Sequence, residues 1–146
     1  MYLLDTNVIS ELRRGKPRQS VEVRAWAASV PASQLFLCAI SILEIEKGIL
    51  ALERRPPDPS GLQSSALRAW LAGVRATFAG RILPFTENTA MLCAALHVPN
   101  PRPDRDAMIA ATALEHRMTL VTRNVVDFEG TGVLLVNPFN PFNPPK

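Results

Sequence analysis

The sequence predicts an α/β fold: a three-layer α/β/α sandwich around a mainly parallel sheet. Three observations predict it. Short apolar runs alternate along the chain with segments of helical periodicity, the pattern of strands joined by crossover helices. The first two runs, Tyr2–Leu4 and Leu35–Ile40, are continuous rather than alternating, as in strands buried on both faces. The length of 146 residues, with 47% hydrophobic and 20% charged residues, supports one domain with a proper core and excludes a disordered chain.

The opening run ends in Leu3-Leu4-Asp5-Thr6-Asn7. If Tyr2–Leu4 is a strand, Asp5 stands at its carboxyl end, where open α/β sheets place ligands. A helix N-cap explains the same residue without chemistry, because Asp satisfies orphan amides and favours the helix dipole. Val8, Ile9 and Leu12 then repeat at helical spacing, and Gly15 and Pro17 end that helix. The run Arg13, Arg14, Lys16, Arg18 is either solvated surface or the lining of a groove for a polyanion. Val21 to Ala28 is a second helix closed by Pro31.

After the strand Leu35–Ile40, Ser41 and Glu44 form S-x-x-E, a capping box opening a helix with Leu43, Glu46 and Lys47. The box accounts for Glu44 structurally, yet Glu44 is also a second acid within one turn of a strand's carboxyl end. Pro56, Pro57 and Pro59 mark a loop between helices rather than a domain boundary. Leu67, Trp70, Leu71, Val74 and Phe78 form one face of a long amphipathic helix, suited to core packing or to a partner helix.

Ile82 to Phe85 predicts a short strand, with Pro84 pointing to an edge position. Thr86 and Glu87 begin the next helix, through Met91 and Leu92 towards Leu96. Another helix opens at Asp104-Arg105-Asp106 and continues through Met108, Ile109, Thr112 and Leu114 with several alanines. First-turn acids suit the helix dipole, which explains one of the two aspartates. Leu120 to Thr122 predicts a strand ending in Thr122-Arg123-Asn124, and Val133 to Val136 is the last strand. The expected organisation is one domain over residues 1–138 and a proline-rich tail over 139–146, extended or disordered.

In a parallel sheet every strand's carboxyl end lies on one edge, so Asp5, Glu44 and Asn124 are expected to share a cleft. Asp106 joins them if its helix runs back from that edge. Three converging carboxylates repel one another unless a cation lies between them. Hard oxygen ligands without Cys or His select Mg²⁺ or Mn²⁺, and such ions suit phosphodiester cleavage. The formal net charge of +3 and pI near 9.3 favour an anionic partner, and Arg outnumbers Lys, which suits phosphate.

Cys38 and Cys93 match no zinc pattern and are expected to be reduced core thiols. No secretory signal or membrane-length run is evident, so the expected location is cytoplasmic and no membrane partner is expected.

Four blocks carry a resemblance: Leu-Leu-Asp-Thr-Asn-Val-Ile-Ser, Ser-Ile-Leu-Glu-Ile-Glu-Lys-Gly, Asp-Ala-Met-Ile-Ala-Ala-Thr-Ala and Thr-Leu-Val-Thr-Arg-Asn-Val-Val-Asp-Phe. Together, in this order, they resemble PIN-domain proteins, and more narrowly the VapC toxins of toxin–antitoxin pairs, including the FitB-like branch. The resemblance reaches from the first strand to Asn137-Pro138-Phe139. It implies a PIN-like sheet and a Mg²⁺- or Mn²⁺-dependent ribonuclease toxin of a type II system. It also implies a homodimer and a hetero-oligomer with a VapB-type antitoxin, whose C-terminal segment covers the groove and offers an arginine to the acids.

Carried over residue by residue, Asp5 matches the first metal-binding acid, Glu44 the second active-site acid and Asp106 the third, in preference to Asp104. Asp5 and Asp106 are then the expected metal ligands. Asn124 stands at the fourth position, where many members carry Asp; it brings a carbonyl but no charge, and Asp127 lies close by in sequence. The segment Leu96 to Pro103 is shorter than the family pattern. A non-catalytic PIN scaffold that binds RNA or a protein is the alternative reading. An aspartate-nucleophile phosphatase would want an acid where Asn7 stands, and no G-x-G-x-x-G follows any strand as a dinucleotide site requires.

Overall fold

The computed structural model describes residues 1–54 and 61–140. The proline loop expected at 54–60 and the tail from 141 onward therefore fall outside the described residues, apart from Arg54. Among the described residues, five strands form a single sheet: β1 (Tyr2–Leu4), β2 (Leu35–Cys38), β3 (Ile82–Leu83), β4 (Thr119–Val121) and β5 (Leu135–Val136). Their spatial order is β3-β2-β1-β4-β5, and every pairing is parallel. The sheet is thus wholly parallel, with β1 at its centre. Tyr2 pairs with Leu35 on one side and with Thr119 on the other.

Six helices are seen among the described residues: α1 (Thr6–Glu11), α2 (Val21–Ser29), α3 (Ala39–Glu53), α4 (Leu62–Thr77), α5 (Glu87–Leu96) and α6 (Asp104–Glu115). They divide between the two faces of the sheet because successive strand residues point opposite ways. Leu3 and Leu120 pack with Ile109, Ala110 and Ala113 of α6 and with Phe128. Leu4, Leu37 and Val121 face the other side, against Val8 and Ile9 of α1, Val23 of α2 and Leu71 of α4. The helix α3 serves both layers, with Ile40 in the first cluster and Ile45 and Ile49 in the second. The stripe Leu67, Trp70, Val74, Phe78 of α4 packs on this second cluster, so its primary use is core.

Alanine explains how closely α6 sits. Ala107, Ala110, Ala111 and Ala113 are wholly buried, and Ala107 and Ala111 meet Cys93 of α5. Both cysteines are free, and burial pushes both thiols up from the usual value, as expected of core thiols. No helix among the described residues is long and apolar enough to cross a membrane.

Three local expectations need correction. The run Leu35–Ile40 is strand only to Cys38, because Ala39 already begins α3. Ser41 consequently lies inside the first turn and is not an N-cap; its hydroxyl meets the Cys38 sulfur at 3.7 Å. The S-x-x-E capping box does not form, and Glu44 is released from that explanation. At the end of the chain, β5 begins at Leu135 rather than Val133, whose side chain is buried against the α6 layer. The edge position of β3 holds, although Pro84 lies just past it.

The basic run after α1 is partly structural. Glu11 is buried and accepts from Lys16 Nζ and, at 2.5 Å, from the Ser20 amide. The Lys16 hydrogen bond, against the cost of burial, holds the Glu11 carboxyl below its ordinary value. Ser20 in turn caps α2 by accepting from the Val23 amide. At the far end, Phe139 packs on the second core cluster and lies under the Arg123 guanidinium at 4.7 Å.

Candidate active site

Because all five strands run the same way, the residues after β1, β2 and β4 emerge at one edge. Asp5 follows β1 directly, and its amide donates to Val121 O of β4 at 2.9 Å. It is the N-cap of α1, accepting from the Thr6 amide at 2.7 Å. The capping role is real, but it uses only part of the carboxylate. The side chain is wholly buried, and its second oxygen accepts from Thr122 Oγ1 at 2.8 Å and from Asn7 Nδ2 at 3.3 Å.

Glu44 sits one turn into α3 and faces this edge. Its Oε1 accepts from Thr6 Oγ1 at 2.8 Å. Asp106 stands in the first turn of α6 and is almost buried. Asp104 turns elsewhere: its side chain is 88% exposed and lies 3.5 Å from His97 Nε2. That difference favours Asp106 over Asp104, which shares the same short stretch of sequence.

Between the three acids lies the Arg105 guanidinium. Its Nε donates to Glu44 Oε2 at 2.6 Å, Nη2 to Asp5 Oδ1 at 2.5 Å, and Nη1 to Asp106 Oδ1 at 2.9 Å. Burial alone would lower the pKa of this guanidinium, but the Glu44 hydrogen bond, the nearby Asp5 charge and the Asp106 contact outweigh it and raise the pKa. Three formal negative charges and one positive leave the cluster at a net −2, so it still attracts cations.

The fourth position behaves differently. Asn124 follows β4 at the same edge, but its side chain is exposed and caps nothing in the turn that follows. Its backbone amide donates to Thr122 Oγ1 at 3.0 Å. Asp127 is exposed in that turn as well. The expected four therefore divide into three clustered acids and one peripheral amide.

Thr6, Asn7 and Thr122 were not singled out from sequence, yet they orient the cluster. Asn7 accepts from the Arg123 amide at 3.1 Å while its Nδ2 reaches Asp5 and, at 3.4 Å, Thr122. The signal was present as a hydroxyl or amide residue directly after each strand-end position, in Asp5-Thr6-Asn7 and in Thr122-Arg123-Asn124.

A divalent ion is what the family resemblance implies here, and the donors suit one. Asp5, Glu44 and Asp106 offer only hard oxygens, all directed at a single cationic group. Among the described residues, however, no three His, Cys, Asp or Glu side chains form a ready-made metal cage. The Arg105 guanidinium lies between them. Mg²⁺ commonly takes one or two carboxylates and keeps its waters, so two of these acids would suffice as protein ligands.

The comparisons with known proteins agree with this architecture. The PIN-domain family pattern matches residues 2–131. The chain belongs to the PIN-domain family. This PIN domain is 33% identical to a VapC ribonuclease of Sinorhizobium fredii over 97% of the chain and 99% of that protein. It is 34% identical to the toxin FitB of Neisseria gonorrhoeae, over 96% and 99% respectively. Among solved structures, a FitAB complex bound to a DNA fragment superposes with a TM-score of 0.83 at 34% identity, covering 95% of this chain and 96% of that one. The resemblance stated from the four sequence blocks therefore holds across nearly the whole chain, and so does the expected sandwich.

Proposed function

We propose that this PIN domain is a metal-dependent endoribonuclease acting as the toxin of a type II toxin–antitoxin pair. The observation that carries the proposal is the convergence of Asp5, Glu44 and Asp106 on one cation at the carboxyl edge of the sheet. The ribonuclease and toxin relatives, matched over almost their full length, support the substrate class.

Asp5 and Asp106 are the residues that would hold Mg²⁺ or Mn²⁺. When bound, such an ion lowers the pKa of a water and neutralises charge building on the phosphate. Glu44 is the most solvent-reachable of the three acids, with its side chain 29% exposed. Its carboxylate aligns the attacking water and accepts that water's proton, while the Thr6 hydroxyl keeps it turned inward. Thr122 and Asn7 hold Asp5 in register. Asn124, exposed at the same edge, orients a water or ligates through its carbonyl, and nearby arginines grip the RNA backbone. Purified protein is expected to cut single-stranded RNA with Mg²⁺ or Mn²⁺ and to stop when EDTA is added; cleavage at full rate in EDTA would sink the metal role.

The alternative, a non-catalytic scaffold, draws on the neutral Asn124 and on the one positive charge already held among the acids. It predicts no Mn²⁺ binding that depends on Asp5 and Asp106, and titration calorimetry separates the two readings.

The partner we propose is a VapB-type antitoxin. An apolar groove of about 570 Å³ runs between α1 and α4, lined by Ile9, Leu12, Trp70, Val74 and Phe78 with Arg13 and Arg14 at its rim. Its shape and charge suit an amphipathic antitoxin segment carrying acidic residues. Arg13→Glu combined with Arg14→Glu, at the rim of the groove, is expected to abolish co-purification with the antitoxin while the melting temperature stays at the wild-type value. Light scattering of the same samples reads the homodimer and the hetero-oligomer; an intact complex with the double variant would place the partner elsewhere.

A further inference from the structure

We propose that Arg105 is a resident counter-cation of the acidic site, one that a divalent ion must displace before it can bind. The inference rests on the metal-dependent reading above and concerns how the metal gains its place.

The acceptor capacity of Asp5 is the first argument. A carboxylate offers about four lone-pair positions. On Asp5 these are taken by the Thr6 amide and Arg105 Nη2 at Oδ1, and by Thr122 Oγ1 and Asn7 Nδ2 at Oδ2. No further ligand can be added without losing a donor. The Thr6 amide is fixed in the first turn of α1, and Thr122 lies buried directly after β4. Arg105 is the donor on a long flexible stem, and 31% of its side chain is exposed. Asn7 is held at its other end by the Arg123 amide, which donates to its Oδ1 at 3.1 Å, so Arg105 is the donor best placed to leave.

Placement is the second argument. Neighbouring residues of a helix do not face each other, yet the Arg105 guanidinium donates to the next residue, Asp106. The same guanidinium reaches Glu44 on α3 and Asp5 before α1. All three edges of the fork are used, each on a different acid. Such a group neutralises part of the repulsion among three carboxylates. Metal and arginine compete for the same oxygens, so the apparent metal affinity is reduced by the fraction of molecules in which Arg105 is out.

The test is a Mn²⁺ titration of the full chain by calorimetry, in wild type, Arg105→Met, Arg105→Lys and Asp5→Asn. Arg105→Met keeps the apolar stem and removes the charge. It is expected to bind Mn²⁺ at least about tenfold more tightly than wild type, and its melting temperature without metal should fall while the gain on adding Mn²⁺ grows. Should Arg105→Met fold poorly, Arg105→Lys carries the same test, since one ammonium cannot span three acids; its affinity should lie between the two.

Binding lost in Asp5→Asn but unchanged or weaker in both Arg105 variants would overturn the counter-cation role and leave the metal site standing. No Mn²⁺ binding in any form would overturn both.

Discussion

Asp5→Asn is expected to slow RNA cleavage on the order of a thousandfold, about 4 kcal/mol of lost transition-state stabilisation at roughly 1.4 kcal/mol per decade. Asp5 is the acid on which everything else converges: α1 begins on it, β4 holds its amide, and Thr122, Asn7 and Arg105 all donate to it. Asparagine fits the same space but replaces one acceptor oxygen with a donor. At Oδ2 that donor would face the Thr122 hydroxyl and the Asn7 amide; at Oδ1 it would face the Thr6 amide and Arg105. Either orientation leaves a mismatched pair, costing about 1–3 kcal/mol of stability. Initial rates on a fluorogenic RNA report the chemistry, and a thermal melt of the same sample reports the fold. A folded Asp5→Asn protein that cuts at the wild-type rate would move the reaction away from this edge.

Phe128→Ala is expected to destabilise the chain by about 3–5 kcal/mol, the cost of emptying a large buried site. Phe128 is 1% exposed and packs with Leu3, Ile109 and Leu120 beneath the sheet. It also ends the turn that begins just after Asn124, and its carbonyl accepts from Thr131 Oγ1 at 2.6 Å. The side chain therefore ties the end of this turn to a core layer. Differential scanning fluorimetry should show a fall of roughly 10–20 °C, while Val126→Ala, at a side chain 71% exposed two residues earlier, should stay within about 0.5 kcal/mol of wild type. Equal melting temperatures for the two variants would mean that the 125–128 turn is not anchored through Phe128.

The two cases show which parts of this protein can be read from its letters. Continuous apolar runs ending in Asp5 and near Glu44 placed two acids on one edge, because parallel strands share a direction. Asp106 required only that its helix start at that edge. What could not be read depended on contacts distant in sequence. Arg105 reaches Asp5 across 100 positions and Glu44 across 61, and no local pattern encodes that reach. The S-x-x-E pattern at Ser41 misled because the helix begins two residues earlier, at Ala39, a boundary that apolar periodicity does not mark. Its failure strengthens the chemical reading, since a glutamate bent back to its own N-terminus would not be available to Thr6 and Arg105. Asn124 follows β4 at the same edge with its side chain exposed and outside the acid cluster, a distinction of burial that sequence order alone does not carry.

Cleavage-site mapping on total RNA tests the central claim most directly, with wild type and Asp5→Asn run side by side in Mn²⁺ and in EDTA. Discrete new RNA ends are expected with wild type in Mn²⁺ and none in the other three samples. The same ends at wild-type levels with Asp5→Asn, or with wild type in EDTA, would contradict it.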